Sequence, residues 1–239
     1  MIQSTRNISD NTTEQRPDYN EGYIAVVDKP YGWTSTDVVR KIKFHLRRLG
    51  FRNIKVGHAG TLDPLATGIL LVCVGKATKM VEKLQAEEKE YVAGIMLGAT
   101  TPSFDMEHPV DATFPTEHIT REAVEKALQE LCGERLQMPP VYSAKKIDGR
   151  RAYEYVREGE EAKVRAALIN IYEMELLEYD MPQIKVRVRC SKGTYIRSLA
   201  REIGEKLDSG AHLTSLRRTR SGGFTLQSAR SMEEMLENL

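Results

Sequence analysis

The chain has 239 residues, 41% of them hydrophobic and 29% charged, and a formal net charge of +1 at pH 7. That composition is ordinary for a folded soluble protein, and the length suits one large domain or two small ones around a substantial core. No apolar run approaches a membrane span and the N-terminal residues carry no secretory apolar region, which points to the cytoplasm. A net charge this close to zero says nothing about partners.

Residues 1–22, MIQSTRNISDNTTEQRPDYNEG, are polar and lack periodicity, and read as a disordered tail ahead of a domain over 23–239. Tyr23–Val27 reads as a strand, closed by the KPYGWTS turn at 29–35. A helix follows, with Thr34 as N-cap and Asp37 completing a capping-box pattern. Val38, Val39, Ile42, Leu46 and Leu49 share one face of it at helical spacing, and Arg40, Lys41, Lys43 and Arg47 lie largely off that face. Ile69–Val74 is an apolar run, and Tyr91–Leu97 reads as a strand. Residues 119–131 form a helix with Ala123, Val124, Ala127, Leu128 and Leu131 on its core side, stopped by Gly133. QIKVRVRC, 183–190, alternates strictly and predicts a half-buried antiparallel strand with Lys185, Arg187 and Arg189 on its outer face. A helix runs from about Thr194 to Leu207, residues 211–226 read as a hairpin or two short strands around Ser221–Gly223, and Ser231 with Glu234 opens a last helix. The mixture lacks βαβ regularity. It predicts an α+β architecture around a central, mainly antiparallel mixed sheet flanked by helices.

The stretch GHAGTLDPLATGILLVCVGKATK, 57–79, carries a single acidic residue, Asp63, in a loop of Gly, Thr and Pro. Between Asp37 and Asp63 stand Arg40, Lys41, Lys43, Arg47, Arg48, Arg52 and Lys55, with no acid among them. A carboxylate beside so much positive charge stays ionised and is available as a nucleophile or base. An aspartate in an Asp-Pro turn is more often structural, so the loop alone leaves both readings open. A second basic stretch spans 185–220. Either run by itself reads as a solvated face. Together, each attached to a Gly-containing loop and near Tyr–Arg pairs at RRAYEYVR (150–157) and TYIR (194–197), they suggest a polyanion site of the kind that holds unpaired RNA. GKAT at 75–78 fails as a phosphate loop, and the five histidines show no metal spacing. Cys73, Cys132 and Cys190 are widely separated and read as reduced packing residues, forming neither a disulfide framework nor a zinc site.

The 57–79 stretch resembles the signature of the TruB family of pseudouridine synthases that carries the catalytic aspartate. KPYGWTS (29–35), KEY (89–91), PPVYSAKKIDGRRAYEYVREG (139–159), CSKGTYIRSLAREIGEKL (190–207) and GAHLTSLRRTRSGGF (210–224) are similar to further blocks of the family, in the family's order. The resemblance is closer to the bacterial branch that acts on tRNA position 55 than to the guide-RNA-dependent branch. It implies that Asp63 is the nucleophile, that Arg197 pairs with it, and that Tyr91 stacks on the uracil and helps remove the C5 proton. It also implies that Tyr195 and Leu216 line the base pocket and that His58 touches the RNA near the target. The reaction detaches the uracil, turns it and rejoins it through C5, so it needs neither cofactor nor metal. The target uridine must be flipped from the T-loop of the tRNA. The implied enzyme is cytoplasmic, requires no obligate protein partner and acts as a monomer. Many relatives continue into a small RNA-binding domain of the PUA type. The sequence here stops at Leu239, and the expectation is that the basic segments 38–55 and 185–220 supply the RNA interface without that domain. The competing readings are a non-catalytic RNA-binding module on the same scaffold and an unrelated hydrolase with an aspartyl nucleophile.

Overall fold

The computed structural model describes residues 18–143, 146, 147, 150, 151, 154, 155, 158, 160 and 164–239. Strand β1 (Tyr23–Lys29) turns into helix α1 (Ser35–Arg48), whose capping box joins Thr34 and Asp37. Short β2 (Val56–His58) and β3 (Ala66–Val74) lead to a 3-10 turn at Gly75–Met80 and helix α2 (Val81–Ala86). Strand β4 (Lys89–Leu97) precedes two-residue strands β5 (Ala99–Thr100) and β6 (Ala112–Thr113), helix α3 (Arg121–Glu130) and β7 (Gly133–Gln137). Two-residue β8 (Lys146–Ile147) and β9 (Arg150–Arg151) stand before β10 (Ala167–Asp180), which turns back into β11 (Gln183–Cys190). Helix α4 (Ile196–Lys206), β12 (Ala211–Ser221), β13 (Phe224–Thr225) and helix α5 (Met232–Glu237) complete the described chain.

Nine strands form the main sheet, in the order β1–β3–β12–β4–β11–β10–β7, with β2 beside β3 and β13 beside β12. Every pairing is antiparallel except β3 with β12, so the architecture is the α+β mixed sheet that the sequence predicts. One face is buried under Val38, Ile42 and Leu46 of α1, Val124 and Leu128 of α3, and Leu199 and Ile203 of α4. The other face is apolar only locally, where Ile69, Leu71 and Cys73 of β3 meet Ala59, Ala77 and Leu84. Strand β3 is therefore covered on both faces. That is why its sequence is an unbroken apolar run, whereas β11, packed on one face, alternates.

Two expectations change. Residues 1–17 of the expected tail lie outside the described residues; of 18–22, Tyr19 is buried and its hydroxyl donates to the carbonyl of Leu239 at 2.7 Å. Residues 211–221 form one long strand at the centre of the sheet, and only its last two positions hairpin with β13. Strand β10 carries no clear period in sequence. Its pairing with β11 shifts register between Ile171 and Glu173 and again between Leu176 and Glu178, which breaks the alternation.

Candidate active site

Asp63 sits in the loop 59–65 between β2 and β3, and buried polar groups of other elements hold that loop by its backbone. At the start of α1, the Ser35 hydroxyl accepts from the Leu62 N–H at 2.8 Å and donates to the Leu62 carbonyl at 3.0 Å. Lys29, fully buried at the end of β1, donates to the carbonyls of Pro30, Trp33 and Pro64 at 2.9, 2.6 and 3.3 Å. Burial lowers the Lys29 pKa to about 8, with the nearby Asp63 charge opposing that shift. From β12, buried Arg218 donates to the carbonyls of Ile69, Thr61 and Gly60 at 2.7, 3.4 and 3.1 Å. The close parallel approach of β3 and β12 requires Gly68: its φ is +95°, and a Cβ there would lie 2.3 Å from the Arg218 carbonyl oxygen. The KPYGWTS and LRRTRS segments thus act first as clamps on the aspartate loop.

Arg197, in the first turn of α4, brings its Nε within 2.9 Å of Asp63 Oδ2 and 3.6 Å of Asp105 Oδ2. Its NH1 donates to the carbonyls of Tyr142 and Ser103 at 2.9 and 3.4 Å. The guanidinium is 5% exposed and Asp105 6%, but Asp63 keeps 39% exposure, so the ion pair is sealed on one side and open on the other. A carboxylate so placed is paired with the guanidinium at Nε and still reachable. Asp105 has no counterpart in the sequence reading. It lies in the loop after β5, where Phe104 adopts φ +63° and the Glu107 N–H donates to Asp105 Oδ1 at 2.9 Å.

The exposed side of Asp63 faces an open cleft of about 550 Å³, lined also by Tyr91, Lys192, Tyr195, Arg197 and Leu216. A much smaller pocket of about 10 Å³ adjoins it and shares Asp63, Arg197 and Leu216. Tyr91 on β4 is buried beside Arg218. Burial raises its phenol pKa, while the guanidinium pulls it the other way. Burial likewise raises the Tyr195 phenol, opposed by Ser143 and Arg197. Five of the six residues singled out in the sequence, Asp63, Tyr91, Arg197, Tyr195 and Leu216, therefore meet at one cleft. His58 does not line it: it ends β2, paired with Val72, one residue before the loop. Among the described residues no group of three or more His, Cys, Asp or Glu is arranged to hold a metal ion, and no helix is long and apolar enough to cross a membrane.

The two basic stretches part company. On β11, Lys185 pairs with Glu178, Arg187 with Glu173 and Glu175, and Arg189 with Glu173 and Glu88. These side chains lie on the sheet face opposite Tyr91, since Tyr91 shares its face with buried Val188 while Arg187 stands opposite Val92. Along β12, Arg217 pairs with Asp28 and Arg220 with Glu88. The expected RNA interface on 185–220 is thus an internally neutralised charge ladder over much of its length, and Lys192 and Arg218, which enter no ion pair among the described residues, line the cleft. On α1 and the loop after it, Lys41, Arg47, Arg48, Arg52 and Lys55 are exposed and enter no ion pair among the described residues. The 150–157 segment falls largely outside the described residues. Within it, Arg150 pairs with Glu158 and Glu160 and stacks over the Tyr155 ring at 4.4 Å.

Two family models match the chain: TruB family pseudouridylate synthase (N terminal domain) over residues 47–196, and tRNA pseudouridylate synthase B C-terminal domain over 197–239. The tRNA pseudouridine synthase B of Phocaeicola vulgatus is 58% identical over 220 residues, covering 92% of this chain and 94% of that protein. That of Flavobacterium johnsoniae is 47% identical, covering 89% and 93%. Among solved structures, a chain from a Cbf5–Nop10–Gar1 complex superposes with a TM-score of 0.70 at 33% identity, over 94% of this chain. A chain from the archaeal box H/ACA sRNP Nop10–Cbf5 complex gives 0.67 at 30%. This chain spans only 57% and 56% of the lengths of those two solved chains.

Proposed function

The chain belongs to the TruB family of pseudouridylate synthases, and from that membership we propose that it is a tRNA pseudouridine synthase that isomerises a flipped-out T-loop uridine, position 55, with Asp63 as nucleophile. The observation that carries the reading is the Asp63–Arg197 pair at 2.9 Å, buried on the arginine side and open to the cleft on the aspartate side. Arg197 keeps a charge beside the carboxylate and aims it when an incoming base excludes water. Asp63 then attacks C6 of the uracil, or assists its departure from C1′; both routes use the same carboxylate oxygen. Tyr195 and Leu216 wall the base while it turns, which guards the detached ring from solvent. Tyr91 stacks on the base and helps remove the C5 proton: to accept it the phenol must first be deprotonated, and the neighbouring Arg218 favours that phenolate against the burial that opposes it. His58 contacts the RNA backbone at the loop's entrance. Pair and cleft are complete within one chain, which supports a monomer acting without a protein partner, and a tRNA substrate places the work in the cytoplasm. Loss of Asp63, Tyr91 or Arg197 would favour the non-catalytic alternative, and all three are present.

The test is incubation with an unmodified tRNA transcript and mapping of pseudouridine at single-nucleotide resolution. The expected product is one pseudouridine in the T-loop. Asp63→Asn should yield none while tRNA binding persists, because among the described residues no second carboxylate lines the open cleft. Arg197→Lys should lower turnover far more than affinity, since it loses the planar fork. Pseudouridine only outside the T-loop would defeat the positional assignment, and substantial turnover by Asp63→Asn would defeat the nucleophile.

A further inference from the structure

Tyr195 occupies the N-cap position of α4, yet no side chain caps that helix. Helix starts leave N–H groups without partners, and this one carries two cleft residues, Tyr195 and Arg197, in its first turn. What holds it is a side chain from another strand. Gln137, the last residue of β7 and 1% exposed, accepts from the Tyr195 N–H through Oε1 at 2.8 Å and donates from Nε2 to the Tyr195 carbonyl at 3.2 Å. The planar amide thus presents one donor and one acceptor to both main-chain groups of a single residue, as a neighbouring strand would. The same Nε2 also reaches Glu202 Oε2 at 3.5 Å, and Glu202 is buried against Arg135 at 3.3 Å. With a carboxylate on that side, the amide has one satisfactory orientation, so the grip cannot flip.

We propose that Gln137 is a positioning residue for the reaction: its amide sets the first turn of α4, and so aims the Tyr195 ring into the cleft and the Arg197 fork at Asp63. The proposal rests on the reading of that cleft as the active site. The lever is short and steep. Side-chain ends lie roughly 5–6 Å from a helix axis, so turning the first turn by about 10° moves the guanidinium about 1 Å. A misplacement of that size costs on the order of 100-fold in a positioned reaction. The body of α4 does not depend on the amide, because Leu199, Ala200 and Ile203 are packed in the main core. Loss of Gln137 therefore falls on aim before it falls on folding.

Nearby, the Ser198 hydroxyl donates to the Met138 carbonyl at 2.8 Å, stitching the same two segments without touching the Tyr195 main chain. That bond supplies the control. The experiment measures single-turnover pseudouridine formation on an unmodified tRNA transcript with enzyme in excess, together with tRNA affinity and thermal unfolding, for wild type, Gln137→Met and Ser198→Ala. Gln137→Met should slow the bound-state rate ~10- to 100-fold while affinity changes less than about 3-fold and unfolding stays cooperative. Ser198→Ala should stay within about 3-fold of wild type in rate. An unchanged rate in Gln137→Met, or an equal fall in Ser198→Ala, overturns the proposal, the second by reducing Gln137 to one stitch among several. A wild-type protein that forms no pseudouridine overturns the functional reading itself, and this proposal with it.

Discussion

Helix α1 and strand β11 look alike as sequence, each a short run in which Lys and Arg alternate with apolar residues, and the fold makes opposite uses of them. The cations of β11 face the acids of β10 across an antiparallel ladder, so Glu173, Glu175 and Glu178 neutralise Arg187, Arg189 and Lys185 within the sheet. Among the described residues, Arg40 is the one Lys or Arg of α1 with a carboxylate partner, Asp37, and that pair is long at 3.6 Å. The α1 field is therefore available to an outside polyanion, and the β11 field is spent internally. Attachment differs as well. The start of α1 is bolted to the Asp63 loop through Ser35 and Leu62, whereas β11 presents its charges on the face turned away from Tyr91. Availability of a charge is decided by what the neighbouring strand offers.

The strongest way to break this contrast is to remove the α1 charges together. Lys41→Gln, Arg47→Gln and Arg48→Gln in one protein should weaken tRNA binding ~10- to 100-fold near 0.1 M salt and reduce the slope of log affinity against log salt by about 2–3, because each lost phosphate contact releases fewer counterions. The rate of the bound complex should hold, since none of the three lines the cleft. Filter binding across a salt series decides it: an unaltered slope would make α1 a solvated face like any other. A smaller effect sharpens the contrast from the other side. Glu173→Gln with Glu175→Gln strips Arg187 of both its acids and Arg189 of one, and should raise affinity for any RNA roughly 2- to 5-fold with no gain in turnover, the added binding being non-productive. Smaller again, Arg187→Gln should cost about 0–1 kcal/mol of stability, as exposed pairs do, with less cost at high salt and tRNA affinity within about 2-fold.

Legibility in the sequence followed the range of the interaction. The capping box of α1 is set by Thr34 and Asp37, three residues apart, and was readable. The alternation of β11 is also local, but the acids that neutralise it belong to β10, whose two register shifts hide its period. The role of Asp63 was open from its loop alone and came from the resemblance of the whole motif. The Asp63–Arg197 pair spans most of the domain and came the same way. Asp105 was missed because nothing near it in sequence points at Arg197; a left-handed Phe104 puts it there. Lys29 and Arg218 were legible as motif members, but their function, holding the carbonyls of the aspartate loop, exists only once three strands have met. Gln137 lies next to a recognisable block, and only the folded contact to Tyr195 shows its use.

The smallest expected effect concerns the joint that makes α1 part of the site. Asp37 accepts from the Thr34 hydroxyl at 2.6 Å and the Thr34 N–H at 3.0 Å, and these hydrogen bonds lower its pKa below the usual carboxylate value. A carboxylate depressed in the folded state contributes stability that is present in full above its unfolded pKa, and that is lost as pH falls through the lower, folded value. Asp37→Asn should therefore unfold at a slightly lower temperature than wild type at pH 5–7, and the gap should close as pH falls below about 4. Its response to salt should separate it from the β11 ladder. Short hydrogen bonds at a helix start are screened little, while the ladder of exposed ion pairs weakens as salt rises. Thermal unfolding of wild type, Asp37→Asn and Arg187→Gln over that pH range, at low and high salt, distinguishes the two. A deficit in Asp37→Asn that salt erases at neutral pH would mean that Asp37 acts through long-range charge and not through the cap. In that case the rigid link from α1 to the Leu62 carbonyl would depend on Ser35 alone.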